Sequence, residues 1–349
     1  MVVLVWVLLS LTAAARGQQE AGGRGYGAAF FELLTTTLQP NSSSVEGTGS
    51  SKAAAAKIHL LRIPKASSSS LSIVARRMVG CEPPGPCCKW PGDPPGSCPA
   101  KGLFACQTEG RVIGCTHHYP NYDALLSPSI VSISIMREPW RRAVSAFFYP
   151  GIHHNSKCAA DVDTCFREYA LSTRWRNVAV KMLTGAYAYD DRPTCRDARQ
   201  CKHSLELARH NLERLAVMGV AEMWELSLLL LHLKMPQLRP ELSEFLIGEK
   251  YSPASPTTPA AASSSLASVS STGSRVNAGD LYQSFRTRAF ATASLRQLLH
   301  GQSELDAELY QEVLGRMCDE LHTQGLWKQA LVRQYWQAKN IARNVSRCP

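Results

Sequence analysis

The chain has no apolar run long enough to read as a full membrane span. Such a helix wants about 20 consecutive apolar residues. The most apolar stretch at the N-terminus, Val2 to Leu11, fades into Ala13–Ala15 and then Arg16. That pattern reads as a secretory signal with a small-residue cleavage region over residues 1–17, with a short signal anchor as the alternative. Charge is sparse: Asp, Glu, Lys and Arg make up 19% of 349 residues against 45% hydrophobic. This excludes a wholly disordered chain and allows a sizeable core. The GxxxxGK[ST] pattern is missing, which excludes an ordinary ATP- or GTP-binding P-loop. Neither HExxH nor a paired CxxC appears, so no metal is expected, at His153–His154 or elsewhere.

Two things are present in excess. Lys plus Arg number 38 against 28 for Asp plus Glu, a net charge of +10, which points to an anionic partner without choosing one. There are also twelve cysteines. Six fall between Cys81 and Cys115, beside many prolines and glycines; Cys158 and Cys165, then Cys195 and Cys201, flank short segments; Cys318 and Cys348 lie near the end. Such clusters staple loops in exported proteins, and their pairing stays open. Sequons at Asn41 and Asn344 fit the same compartment.

The expected fold class is α/β, a central parallel sheet flanked by helices, with a disulfide-stapled loop region. Residues 18–56 read as a low-complexity stem, apart from a helix around Phe30–Leu38, and the folded domain is expected over 57–349. Strands are expected at Lys57–Ile63, in "RVIGCTH", at Ser129–Met136 and at Leu215–Val220. Helices are expected at Ser70–Val79, across "EPWRRAVSAFFY", and over Thr164–Leu171, Arg174–Leu183, Lys202–Arg214, Ala221–Leu233, Leu305–His322 and Leu326–Ile341. Residues 80–115 form the Cys-rich loop region, and 252–276 a disordered insert.

Two stretches carry chemistry. In "IPKASSSSL" a buried strand leads through a small-residue loop into a helix, the arrangement by which α/β folds hold phosphates: backbone N–H groups, a lysine and hydroxyls. Taken alone it is equally a serine-rich helix cap. In "REPWRRAVSAF", Arg137 directly follows a strand, at the sheet edge where open α/β folds bind ligands, and Ser145 lies about two helical turns on. An arginine and a hydroxyl converging on one phosphate is a sound pairing. Taken alone, Arg137, Arg141 and Arg142 are an ordinary solvated basic face.

Together the two stretches resemble the donor-binding segments of the Golgi-type carbohydrate sulfotransferases, closest to the branch containing heparan sulfate 2-O-sulfotransferase and the galactose 3-O-sulfotransferases. "VKMLTG" resembles a helix of that family, "LERLAVMGVAEMWELSLLLL" its strand ending in a Val-Gly pair with the Glu-containing helix after it, and "SELDAELYQEVLGRM" its late D-x-x-L-Y helix. The resemblance implies a P-loop-like fold and 3′-phosphoadenosine-5′-phosphosulfate (PAPS) as sulfuryl donor. It implies Lys65, Ala66, Ser67, Ser68 and Ser69 on the 5′-phosphosulfate and Arg137 and Ser145 on the 3′-phosphate. It also implies a glycan, glycolipid or proteoglycan acceptor, no nucleic acid, and a place in the Golgi lumen. Family loops often carry Gly or Thr where this chain has Ala66 and Ser67–Ser69; hydroxyl and backbone donors survive that change.

Sulfuryl transfer needs a base titrating near neutrality, and histidine does so. His117 and His118 follow the second expected strand, at the same edge as Lys65 and Arg137. Either serves as the expected base, and in the resembling branch a histidine in a comparable place does. Lys65 is the second expected catalytic residue, on the leaving phosphate. Glu222 and Glu225 are candidate active-site carboxylates, with helix N-terminal charges as the favoured reading. Two rival readings are a glycan-binding protein that has lost turnover and an ATP-using secreted kinase; the intact lysine, arginine and serine set opposes the first, and the missing kinase motifs oppose the second.

Overall fold

In a computed structural model of the chain, the structure describes residues 25–38, 57–64, 66, 67, 70, 71, 74, 75, 106–108, 111–116, 130–148, 162–186, 193–235, 242–246, 297, 298, 301, 303–339 and 348. The expected signal at 1–17, the insert at 252–276, and Lys65, Ser68, Ser69, His117, His118, His153 and His154 lie outside the described residues.

The centre is a five-stranded sheet built from β1 (Lys57–Leu61), β2 (Cys106–Thr108), β3 (Arg111–Thr116), β4 (Ile130–Met136) and β5 (Val217–Val220), in the order β2-β3-β1-β4-β5. β1 pairs in parallel with β3 on one side and β4 on the other, and β4 pairs in parallel with β5. β2 is antiparallel to β3. The α/β class with a parallel sheet and helices is therefore correct, with one antiparallel edge strand added. β1 is central, and Ile58, His59, Leu60 and Leu61 are all fully buried. Such a strand reads as a continuous apolar run because both faces are covered.

Helices account for most of the rest: α1 (Gly25–Leu38), α2 (Pro139–Phe147), α3 (Val162–Leu171), α4 (Val178–Leu183), α5 (Ala198–Glu213), α6 (Trp224–Lys234), α7 (Leu242–Leu246), α8 (Glu304–Thr323) and α9 (Ala330–Lys339). The helix expected around Phe30–Leu38 is present and begins earlier, at Gly25. α1 packs on α6 and α7, with Phe30 and Leu34 fully buried and the Phe30 ring edge-on to Tyr335. Its apolar residues fall at helical spacing, so it joins the core rather than tethering it. No helix among the described residues is long and apolar enough to cross a membrane.

α6 follows β5 so closely that the junction dictates its residues. A Cβ on Gly219 would lie 2.8 Å from the Ser227 Cβ. Ser227 Oγ accepts the Val220 N–H at 2.8 Å and lies 3.0 Å from the Val220 carbonyl and 2.9 Å from that of Met223. Further out, Trp224 Nε1 donates to the Glu244 carbonyl at 2.8 Å, and His232 Nε2 lies 2.9 Å from the Glu244 carboxylate, so α7 is clasped to α6.

Two disulfides are complete among the described residues, Cys195–Cys201 and Cys318–Cys348. The second anchors Cys348, itself buried, onto α8. Cys318, His322 and Cys348 place one potential ligand atom each within 4.8 Å. The two sulfurs are bonded to each other, and metal binding wants thiolates.

Candidate functional site

The parallel order β3-β1-β4-β5 reverses between β1 and β4: the chain goes from β1 to β3 on one side and then to β4 on the other. In open α/β sheets the crevice outside the carboxyl ends of the strands, at that reversal, is where ligands bind. Leu61 at the end of β1 pairs with Ser134 two residues before the end of β4, and the Ser134 hydroxyl donates to the Leu61 carbonyl at 2.7 Å. The loop after β1 and the turn after β4 are therefore neighbours. These carry the two stretches singled out in the sequence.

The loop after β1 turns tightly. The Ala66 N–H donates to the Ile63 carbonyl at 3.3 Å, and the Leu71 N–H donates to the Ser67 carbonyl at 3.1 Å. Ser67 thus starts the following helix, in which Ser70, Leu71, Val74 and Ala75 are helical and the last three are buried. Ser67 has φ 61°, a left-handed conformation rare for a residue with a side chain. It is 8% exposed, and its Oγ is buried without a hydrogen-bonding partner among the described residues. Backbone strain and a buried polar atom without a partner thus coincide in one residue at the sheet reversal. Ala66, also an expected contact residue, is fully buried.

The turn after β4 holds Arg137 and Glu138, and Pro139 begins α2, a position where its missing N–H costs nothing. The solvated basic face is overturned. Arg142 is 1% exposed; its Nη2 donates to the Trp175 carbonyl at 3.1 Å and lies 3.6 Å from Asp306. Arg141 Nε donates to Glu138 at 2.6 Å, and its guanidinium lies over the Trp140 ring. Arg137 is half-buried, and its Nε lies 3.7 Å from the Glu222 carboxylate. Ser145 is half-buried on α2, whose other side buries Trp140 and Phe147 against Phe166 and Tyr169 of α3.

Glu222 and Glu225 do stand in the first turns of helical segments, the 3-10 turn Ala221–Met223 and α6, just beyond the carboxyl end of β5, and both are buried. Both Glu222 oxygens face the Glu138 N–H, at 3.2 and 3.3 Å, and Oε2 accepts the Tyr310 hydroxyl at 3.2 Å. Burial raises the Glu222 pKa, while Arg137 and Arg141 pull it down. Burial likewise pushes the Tyr310 phenol well up, reinforced by the Glu222 charge. Glu225 accepts the hydroxyl of Tyr335, whose phenol is also pushed well up by burial and then by Glu225.

Behind this layer Asp306, fully buried, accepts the N–H groups of Ala179 at 3.2 Å and Val180 at 3.0 Å, and so caps α4. Burial raises its pKa, with Arg142 the main opposing charge. Asp306 and Tyr310 lie one turn apart on α8. One holds α2 and α4, the other holds Glu222. They are the first and last residues of the D-x-x-L-Y stretch by which this helix resembles the family's, a pattern that assigns neither a role. The spacing of an i, i+4 pair on an amphipathic helix was the available signal. Among the described residues, then, Ala66, Ser67, Arg137 and Ser145 are located on two adjoining elements, while the expected base and the expected lysine lie outside. Comparison with family models, curated proteins and solved structures finds no match to this chain.

Proposed function

We propose that the chain is a PAPS-dependent carbohydrate sulfotransferase on a P-loop-like fold, acting on a glycan hydroxyl in the Golgi lumen. One observation carries the reading: the strained, unsatisfied Ser67 loop adjoins the Arg137 turn at the reversal of strand order. A nucleotide with an anionic group at each end suits two such elements side by side, whereas a single phosphate needs only one. The fit of the residues to this donor rests on the orphaned Ser67 hydroxyl and on a buried carboxylate that backs Arg137.

When bound, PAPS supplies the sulfuryl group: its sulfur–oxygen bond to the 5′-phosphate breaks as the acceptor oxygen bonds sulfur, releasing adenosine 3′,5′-bisphosphate. Ser67, with Ser68 and Ser69, supplies donors to the 5′ side, and Lys65 compensates the charge left on the departing phosphate. Arg137 and Ser145 hold the 3′-phosphate. His117, or His118, takes the proton of the acceptor hydroxyl.

The test uses the full secreted chain, sulfur-labelled PAPS and a panel of sulfate-free glycans, beside Lys65→Ala, His117→Ala and His118→Ala. Transfer is expected from the parent chain, with a fall of about a hundredfold or more in Lys65→Ala. Glycan binding without transfer to any acceptor would replace the enzyme by a binding protein. Labelling from ATP in place of PAPS would refute both.

A further inference from the structure

We infer that Glu222 and Tyr310 act as a positioning pair that presets Arg137 for the 3′-phosphate of the nucleotide; the role rests on the donor proposed above. The Glu138 N–H meets both carboxylate oxygens of Glu222 at 3.2 and 3.3 Å, and Arg137 Nε lies 3.7 Å from Oε1. One carboxylate thus grips both the backbone and the side chain of the two-residue turn that leaves β4. The Tyr310 hydroxyl, from a helix 88 residues further along the chain, donates to Oε2 at 3.2 Å and fixes the carboxylate in turn.

The grip is on the Nε edge of the guanidinium. A guanidinium is a planar fork with further donors on its other edges, suited to two oxygens of a phosphate. Arginine is also rotamer-rich, so an arginine already oriented loses less freedom when an anion arrives. The Glu222 charge itself repels a phosphate. That repulsion is the weaker effect, because the Glu138 N–H, the Tyr310 hydroxyl and Arg137 already surround the carboxylate. Removing the charge therefore weakens 3′-phosphate recognition.

The test is a binding comparison on the full chain with two nucleotides, adenosine 3′,5′-bisphosphate and adenosine 5′-monophosphate. Their affinity ratio isolates the 3′-phosphate. In Glu222→Gln this ratio is expected to fall about tenfold, and in Tyr310→Phe about threefold, with 5′-monophosphate affinity nearly unchanged. A general loosening of the fold lowers both affinities together and leaves the ratio intact. Urea midpoints report folding of each variant, and Tyr310→Phe, which loses one oxygen, carries the test if Glu222→Gln does not fold. A ratio unchanged or increased in the folded variants overturns the positioning role while leaving the donor in place. A parent chain that binds neither nucleotide overturns the donor and the role with it.

Discussion

Acidification should destabilise this fold through one residue in the middle of its sheet. His59 lies on β1, paired across to Gly114 of β3 and Ser132 of β4, and is fully buried. Burial lowers its pKa from 6.5 to about 4. Below pH 6.5 the unfolded chain takes up a proton there that the folded chain refuses, so stability is lost as pH falls through this window and the loss is complete near pH 4. At about 1.4 kcal/mol per pKa unit, the full loss is about 3 kcal/mol, a large share of a typical domain's stability. The assay is urea unfolding of the parent chain and His59→Gln at several pH values between 7.5 and about 4. Gln cannot titrate, so the stability gap between the two chains should close, by about 3 kcal/mol, as pH falls. A gap that stays constant over the window would refute the burial argument, whatever its absolute size.

Gly219→Ala should cost about 1–3 kcal/mol in urea unfolding, because the new Cβ falls 2.8 Å from Ser227 Cβ at a strand–helix junction with no flexible side-chain end to move. Asp306→Ala should cost about 3–5 kcal/mol or abolish folding, because it strands the buried Arg142 charge and two α4 N–H groups; a urea midpoint within error of the parent would contradict that. Alkaline titration should bring a further loss above about pH 10, where unfolded tyrosines ionise and the buried Tyr310 and Tyr335 resist doing so. Tyr310→Phe and Tyr335→Phe should each flatten that alkaline limb, read by unfolding at pH 9 to 11.

The sheet was legible where side chains advertise it. "KIHLL" and "IVSISIM" are β-branched or apolar runs ended by turn residues, and both are strands to within a residue or two of expectation. β2 escaped because three residues of an edge strand inside a Cys-, Pro- and Gly-rich segment carry no period. The helix expected over Arg174–Leu183 is instead a 3-10 turn at Thr173–Trp175 and a short helix from Val178, because Asn177 adopts φ 46°. Hydrophobic spacing runs on through such a break, since it records which side faces the core and not the backbone angle. α1 was half visible: its C-terminal part has helical spacing, while Gly25 to Ala29 resembles the small-residue stem before it.

At the site, chain order sufficed to bring the Ser67 loop and the Arg137 turn to one edge, but not to sort three neighbouring arginines by role. "REPWRRAV" gives Arg137, Arg141 and Arg142 equal standing. Packing separates them: Arg142 turns inward to Asp306, Arg141 folds back onto Glu138 and Trp140, and Arg137 stays at the edge against Glu222. Asp306 and Glu222, the carboxylates that sort Arg142 and Arg137, are each more than 80 residues away, beyond the reach of any local pattern. The same arrangement explains why a helix as remote as α8 bears on the edge. Asp306 fixes α2 through Arg142, and Tyr310 fixes the turn ahead of α2 through Glu222. α2 is thereby held at both its first turn and the residue before it. A displacement of α8 would move Arg137 and Ser145 as one body, whereas loss of Tyr310 alone should loosen Arg137 and leave Ser145 where it is.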